Sequence, residues 1–395
     1  MQRPTSVNIN QSKSDRVPLS VTKRLDERLT NGNFRTLNPE KKLVDFVSND
    51  YLGFSTSGLL RSRLTEYHNL KEQKDLLFGS TGSRLLSGDS DYIHSLEEKI
   101  AKFHNAKAAL LFNSGYSANF GVISCLVTRH DTIIYDELSH ASIIDGAHSA
   151  KAKNCFSFKH NDIQDLQQKI SKASGEVYVI TESVFSMDGD FAPLAEIAQI
   201  CQETGSYLIV DEAHAIGLFG HFGNGRVSEL SLEDQVFARI ITYGKALGAH
   251  GASVVGSVEL KNFLINFCRP LIYSTALDRH SIDAINIGYD LLKDTSSNNA
   301  PLFFLIHEFR SAAKKECKSQ SFLDSLSPIQ GIIIPDNLTC KKASLCLAEA
   351  NIDARAILSP TVAVGKERIR IILHTYNSTS EIQLLFHTLK MNGFI

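Results

Sequence analysis

The chain has 395 residues, 43% of them hydrophobic, with 41 basic and 43 acidic side chains and a formal net charge of −2. That length predicts one large domain plus at least one smaller one. The near-neutral charge and the lack of a basic stripe argue against a nucleic-acid partner, since the densest cluster, Lys314 to Lys318, is short and reads as a solvated helix face. Seven cysteines without a CxxC pair predict neither a disulfide framework nor a zinc site. The polar N-terminus lacks the apolar run of a secretory signal, and no stretch approaches the ~20 apolar residues of a membrane helix. No membrane partner is therefore expected, and a reducing cytoplasm is the expected setting.

Along the chain, residues 1 to about 20 are polar. "VTKRLDERLTNG" predicts a short helix ending at Gly32, and "KKLVDFVSNDYLGF" a strand running into a turn. Seven apolar runs follow: "AKAALLF", "DTIIYD", "NCFSF", "EVYVITES", "YLIVDEAH", "ARIITYGKA" and "ASVVGS". Helical patterns separate most of them, among them "HSLEEKIAKFH" and "PLAEIAQICQETG", the latter bounded by Pro193 and Gly205. Short apolar strands alternating with helices predict an α/β fold with a mostly parallel sheet covered on both faces. From about Ser281 two helical stretches and the strand-like "PIQGIIIP" and "KERIRIIL" predict a smaller α+β domain. The expected division is an N-terminal segment 1–45, a large domain 46–280 and a small domain 281–395.

Ligands of open α/β sheets bind beyond the carboxyl ends of the strands. The residues following the apolar runs are Ser139 and His140, Glu182 and Ser186, Asp211 and His214, and Thr242 and Lys245. Acid, imidazole, amine and hydroxyl would converge on one rim. Asp211-Glu212-Ala213-His214 alone would match the metal-and-phosphate box of a class of helicases, but "GSTGSR" lacks the lysine of a GxxxxGK[ST] loop. No third ligand stands at a useful spacing from Asp211 and His214, so no metal is expected. The inventory suits pyridoxal phosphate instead. A pocketed lysine forms a Schiff base with an aldehyde, an acid beside the ring nitrogen makes the ring an electron sink, and "FNSGYSANFG" offers a helix N-terminus for a phosphate. Singly, each residue has a plainer reading: Gly115 a turn glycine, Asp211 a helix cap, His214 a satisfied polar group. The constellation carries the weight.

With those residues in place the chain resembles the α-oxoamine synthases, pyridoxal-phosphate enzymes of the type I aminotransferase fold. The shared segments, in the family's order, are "SNDYLGF", "GSTGSRLLSG", "FNSGYSANFG", "LSHASIIDG", "ESVFSMDGDFAPL", "LIVDEAHAIGLFG", "TYGKALGAHGA", "LIYSTAL" and "ERIRIIL", spanning about Asn49 to Leu373. The resemblance implies a type I PLP-transferase fold, with a seven-stranded, mostly parallel sheet in the large domain. It implies that Lys245 is the Schiff-base lysine and proton shuttle, that Asp211 meets the pyridine nitrogen and His214 the phenolic oxygen, and that His140 stacks on the ring. Ser114, Gly115 and Tyr116, helped by Thr242, would hold the phosphate end. Thr275 of "YST" would reach the neighbouring subunit's cofactor, which implies a homodimer with shared sites. Ser186 would contact the cofactor or acyl group, and Asn49 would lie near the substrate. Arg370 would grip the amino acid's carboxylate, a bidentate task suited to guanidinium. Arg368, two residues along the same strand, is its rival.

The implied reaction is a decarboxylative condensation of an amino acid with an acyl thioester. "GSTGSRLLSG", "ESVFSMDGD" and "YSTAL" resemble the branch joining L-alanine to a pimeloyl thioester in biotin synthesis, the acyl group arriving on coenzyme A or an acyl carrier protein. Branches using glycine, serine or a fatty acyl thioester are the alternatives, with a DEAH-type NTPase the remote one. Two departures bear on the substrate. Leu358 of "ILSPTVA" stands where many members of that branch carry an arginine near the acyl end, and "TALDR" replaces "TALPP".

Overall fold

The structure is a computed structural model describing residues 17–37, 42–71, 79–295, 299–318 and 321–395. The chain opens with α1 (Leu19–Thr30), β1 (Val44–Asp45), α2 (Leu59–Asn69) and α3 (Asp91–Phe103). The predicted "KKLVDFVSNDYLGF" strand is only two residues long. It leaves the ladder because Asp45 turns back to accept the amides of Val47 and Ser48.

The central alternation follows: β2 (Ala108–Phe112), α4 (Gly115–Leu126), β3 (Thr132–Asp136), α5 (Ala141–Ser149), β4 (Asn154–Phe158), α6 (Ile163–Ile170), β5 (Val177–Glu182), α7 (Leu194–Thr204) and β6 (Tyr207–Asp211). After a short α8 (Arg226–Glu229) come β7 (Ala238–Thr242), β8 (Ala252–Gly256), α9 (Val258–Phe267) and α10 (Arg269–Ile272). The seven strands form one sheet in the order β2-β8-β7-β6-β5-β3-β4. All pairs are parallel except those of β8, which runs antiparallel to both β2 and β7. No helix separates β7 from β8, so β8 returns directly beside β7, and a direct return can only be antiparallel. Inner strands such as "TIIYD" are buried on both faces, and so is "AALLF" of β2 at one edge of the sheet, while β4, at the opposite edge, alternates in exposure.

The remaining chain carries α11 (Arg279–Thr295), α12 (Ala300–Glu316), β9 (Ile329–Ile333), α13 (Asn337–Glu349), β10 (Ile352–Asp353), β11 (Arg355–Ile357), β12 (Arg368–Ile372) and α14 (Thr379–Met391). Strands β11-β12-β9 form an antiparallel sheet, and β10 pairs with the distant β1. The amide of Ile372 donates to Phe46 and that of Thr375 to Tyr51, so the segment after β1 is fastened to the end of β12. This brings Asn49 and Tyr51 from the N-terminal side, and Arg370 from the C-terminal side, against the carboxyl ends of β5 and β6.

Candidate active site

A cavity of about 270 Å³ lies over the carboxyl ends of the parallel strands, lined by Asn49, Ser114, Gly115, Tyr116, Asn119, His140, Ser142, Glu182, Asp211, His214, Thr242, Lys245 and His250 among others. Most of the residues singled out in the sequence converge here because successive parallel strands release their polar followers at one rim. The tetrapeptide Asp211-Glu212-Ala213-His214 divides. Asp211 and His214 face the cavity, whereas Glu212 points away into a buried ion pair with Arg239 and accepts the amide of Val227.

Lys245 Nζ lies 2.7 Å from His214 Nε2, and His214 Nδ1 lies 2.6 Å from the buried Tyr51 hydroxyl. Burial pulls Lys245 down to about 8, with Asp211 and Glu182 opposing the shift and Arg370 reinforcing it. Burial, then Lys245 and Arg370, hold His214 well below the usual histidine range, so its imidazole is neutral. Asp211 is 4% exposed and accepts from Asn119 Nδ2 at 2.6 Å and from the amide of Ala213 at 2.8 Å. Asn119 Nδ2 also donates to Ser142 Oγ at 3.0 Å, which lies 2.8 Å from His140 Nδ1. One polar chain therefore links the buried acid to the exposed imidazole.

Glu182 pairs in register with Asp211 on the neighbouring strand and accepts the backbone amide of His140 at 2.6 Å. Burial and the adjacent Asp211 push its carboxyl up to about 8. The same desolvation lowers His140, with Asp211 pulling upward and Lys245 downward.

The end of the cavity near α4 fits a phosphate. Ser114 caps α4 by accepting the amide of Ser117, leaving the Gly115 and Tyr116 amides in a first turn that has no intrahelical acceptors. A Cβ at Gly115 would stand 2.4 Å from Thr242 Cγ2, so only glycine permits this approach. Thr242 Oγ1 is buried without a partner, an unused donor at the same place. Amides, hydroxyl, acid and lysine together match what pyridoxal phosphate requires.

The remaining predicted residues lie around this core. Arg370 Nε donates to the Ser186 carbonyl at 2.9 Å, and Nη2 lies 3.3 Å from Asn49 Oδ1. Arg368 is committed elsewhere, bound to Asp188 and to the carbonyls of Met187 and Lys366. Arg370 is thus the guanidinium beside the cavity. Thr275 is not brought into it. Its exposed segment lines a separate small cavity with Arg84 and Asn113, and its carbonyl accepts from Asn113 Nδ2 at 2.7 Å. Sequence reasoning missed Tyr51, Asn119, Ser142 and His250. Only Tyr51 and Asn119 had a signal: two residues past Asn49, and one helical turn past Gly115. Among the described residues no cluster of His, Cys, Asp or Glu could hold a metal ion.

The family model "Aminotransferase class I and II" matches residues 41–385. The 8-amino-7-oxononanoate synthase of Emericella nidulans is 40% identical over 368 residues, covering 88% of each chain. That of Marinobacter nauticus is 36% identical, covering 88% of this chain and 87% of its own. Among solved structures, the 8-amino-7-oxononanoate synthase of Francisella tularensis superposes with a TM-score of 0.74 at 28% identity, covering 89% of this chain and 99% of that one. The serine palmitoyltransferase of Sphingomonas wittichii reaches 0.85 at 23% identity, covering 98% and 100%, a likeness of fold.

Proposed function

The chain belongs to the class I and II aminotransferase family and, within it, to the α-oxoamine synthases; from that premise we propose that it is a pyridoxal-phosphate-dependent acyltransferase joining L-alanine to a pimeloyl thioester. The products are 8-amino-7-oxononanoate, CO₂ and the free thiol, a step of biotin synthesis. The observation that carries this reading is the Lys245–His214–Tyr51 chain set against the buried Asp211 in one cavity.

Bound there, the cofactor would supply an electron sink for the carbon that loses its proton. Asp211 would meet its ring nitrogen, His140 would cover one ring face, and Ser114, Gly115, Tyr116 and Thr242 would hold the phosphate. Lys245 would hold the cofactor before substrate enters. Its lowered pKa, about 8, leaves part of the amine neutral near neutral pH, so Nζ can take up the α-proton of alanine. Neutral His214 fixes Nζ in place without adding a competing charge. Arg370, steadied by the Ser186 carbonyl and Asn49, orients the amino acid through its carboxylate, and Ser186 borders the acyl group.

For the acyl end we propose a second cavity, of about 310 Å³, lined by Arg28, Phe34, Arg35 and the Ala356–Thr361 stretch. Leu358 sits here, and Arg28 and Arg35 supply the positive charge that its position lacks. Two guanidinium groups beside apolar walls suit an acyl chain ending in a carboxylate, and favour pimeloyl over a plain fatty chain. Thr275 completes the phosphate site of a second copy, making the working unit a homodimer. Coenzyme A or an acyl carrier protein brings the acyl group. Among the described residues no helix is long and apolar enough to cross a membrane, and we place the enzyme in the cytoplasm.

The test is to incubate the protein with pyridoxal phosphate, L-alanine and pimeloyl-coenzyme A and to follow CO₂ and product mass. Alanine-dependent CO₂ release with the amino-ketone product is expected. Turnover only with glycine or serine, or with palmitoyl-coenzyme A, would overturn the substrate assignment.

A further inference from the structure

Outside the cavity, one titratable group is placed where it governs two loops of the site. His160 follows β4, in "FKHND". Its Nδ1 lies 2.9 Å from Asp136 Oδ1 and its Nε2 2.7 Å from Asp190 Oδ2. Ionised carboxylates only accept hydrogen bonds, so serving both requires a proton on each ring nitrogen, that is, a cation. The ring sits edge-on against Phe185, with centroids 4.4 Å apart. The other polar groups facing it are Glu137, which accepts its backbone amide, and Asn161, whose side-chain nitrogen bonds Asp190 and the Phe191 carbonyl and stands 3.2 Å from Nε2, farther than the Asp190 carboxylate that Nε2 serves.

Each carboxylate anchors a loop that ends in the site. Asp136 closes β3. It accepts the amides of Leu138 and Asn161, and so sets the turn that delivers His140 as the cap of α5. Asp190 closes the loop Ser183–Phe191, within which the Phe185 amide donates to the Asp190 carbonyl. The middle of that loop is held by the small sheet. Arg370 binds the Ser186 carbonyl, Arg368 binds Asp188, and Ser325 Oγ donates to the Gly189 carbonyl at 2.8 Å. Gly189 takes φ +70°, and a Cβ there would stand 2.3 Å from the Ile329 carbonyl, so the loop lies directly on β9. His160 is thus the junction between the loop bearing the ring-covering imidazole and the loop supporting the carboxylate-binding guanidinium.

We propose that His160 is a positioning residue: by bridging Asp136 and Asp190 it fixes His140 and the Ser186–Arg370 contact relative to each other, and so sets how tightly the amino acid is held. The inference rests on the functional reading above for what the two loops do, and on the geometry for the bridge. Burial opposes the charge on His160, but its hydrogen bonds with Asp136 and Asp190 outweigh it and raise the group to about 10, so the bridge persists across the neutral range.

The test compares His160→Gln and Asp190→Asn with the unaltered protein in three measurements: backbone hydrogen exchange without cofactor, induced circular dichroism of bound pyridoxal phosphate, and the separate KM values for L-alanine and the acyl thioester. We expect exchange to rise together in 136–141 and 183–192, and the dichroism band to change. The KM for alanine should rise about ten- to a hundredfold while that for the thioester stays unchanged. In the double variant the losses should be less than additive, since both changes break the same bridge. If His160→Gln fails to fold, Asp190→Asn alone must show the linked exchange and the KM split. Exchange confined to the residues around 160, or lowered thermal stability with unchanged dichroism and KM values, would overturn the proposal. An unaltered protein that neither binds the cofactor nor uses alanine would instead sink the functional reading, leaving the exchange result to judge the bridge alone.

Discussion

The two cavities are built in different ways. The one over the sheet draws nearly every wall from a strand end or a helix cap: Asp211 and Glu182 from adjacent parallel strands, His140 from the cap of α5, Ser114 and Gly115 from the start of α4. The one beside Leu358 is walled by the end of α1, the loop that follows it, the edge strand β11 and the segment after β11. A sheet fixes its strand ends through cooperative ladders, so residues there are held by the whole core. Loop walls are held by a few local contacts, and their charge can come from more than one segment, as Arg28 and Arg35 beside Leu358 illustrate. On the proposed reading, cofactor chemistry lies on the rigid part and acyl choice on the adjustable part.

Four experiments would break or sharpen that contrast. The largest effect is expected of Lys245→Ala: steady-state turnover should fall about a thousandfold or more, with the cofactor held only non-covalently. Asp211→Asn should lower kcat about a hundredfold or more, because the amide would bring no charge to the cofactor's ring nitrogen. It should lower the melting temperature slightly, since its NH₂ would meet one of the two donors that Asp211 now accepts from. Arg28→Ala and Arg35→Ala should each raise the KM for pimeloyl thioester about tenfold and leave the alanine KM alone. An effect on alanine instead would mean that the two cavities are not separate in function.

Glu182→Gln should change kcat by less than about threefold at neutral pH, since its carboxyl, raised to about 8, is already protonated there. The sign in stability follows from linkage. Between its ordinary value of 4.5 and about 8, the folded protein keeps a proton that the unfolded chain has released, so Glu182 costs stability as pH rises through that window. The melting temperature of Glu182→Gln should therefore gain on the unaltered protein from pH 5 to pH 8 without cofactor. A flat difference would place an ionised carboxylate at Glu182.

The same contrast explains what was legible in the sequence. Strand runs such as "TIIYD" and "YLIVD" are short, apolar and bounded by helix signals, so the sheet and its functional rim followed from local pattern. The direction of β8 lies not in "ASVVGS", which reads alike in either sense, but in the short helix-free link from β7. The pairing of β1 with β10 did not follow from local pattern, because its partners lie far apart in the chain. Tyr51 and His214 are 163 residues apart, and Asn119 and Asp211 are 92 apart, so hydrogen bonds between them leave no spacing to read. Arg370 was separated from Arg368 only by motif. The structure adds a physical reason, since Asp188 occupies the Arg368 guanidinium.

The central claim is that Lys245 binds pyridoxal phosphate in a site shaped for alanine. The visible absorbance spectrum of the purified protein with pyridoxal phosphate, recorded before and after separate additions of L-alanine, glycine and L-serine, tests it most directly. The account predicts a lysine-dependent visible band, absent in Lys245→Ala, that L-alanine perturbs at lower concentration than glycine or L-serine. No such band, or one that answers first to glycine or serine, would contradict it.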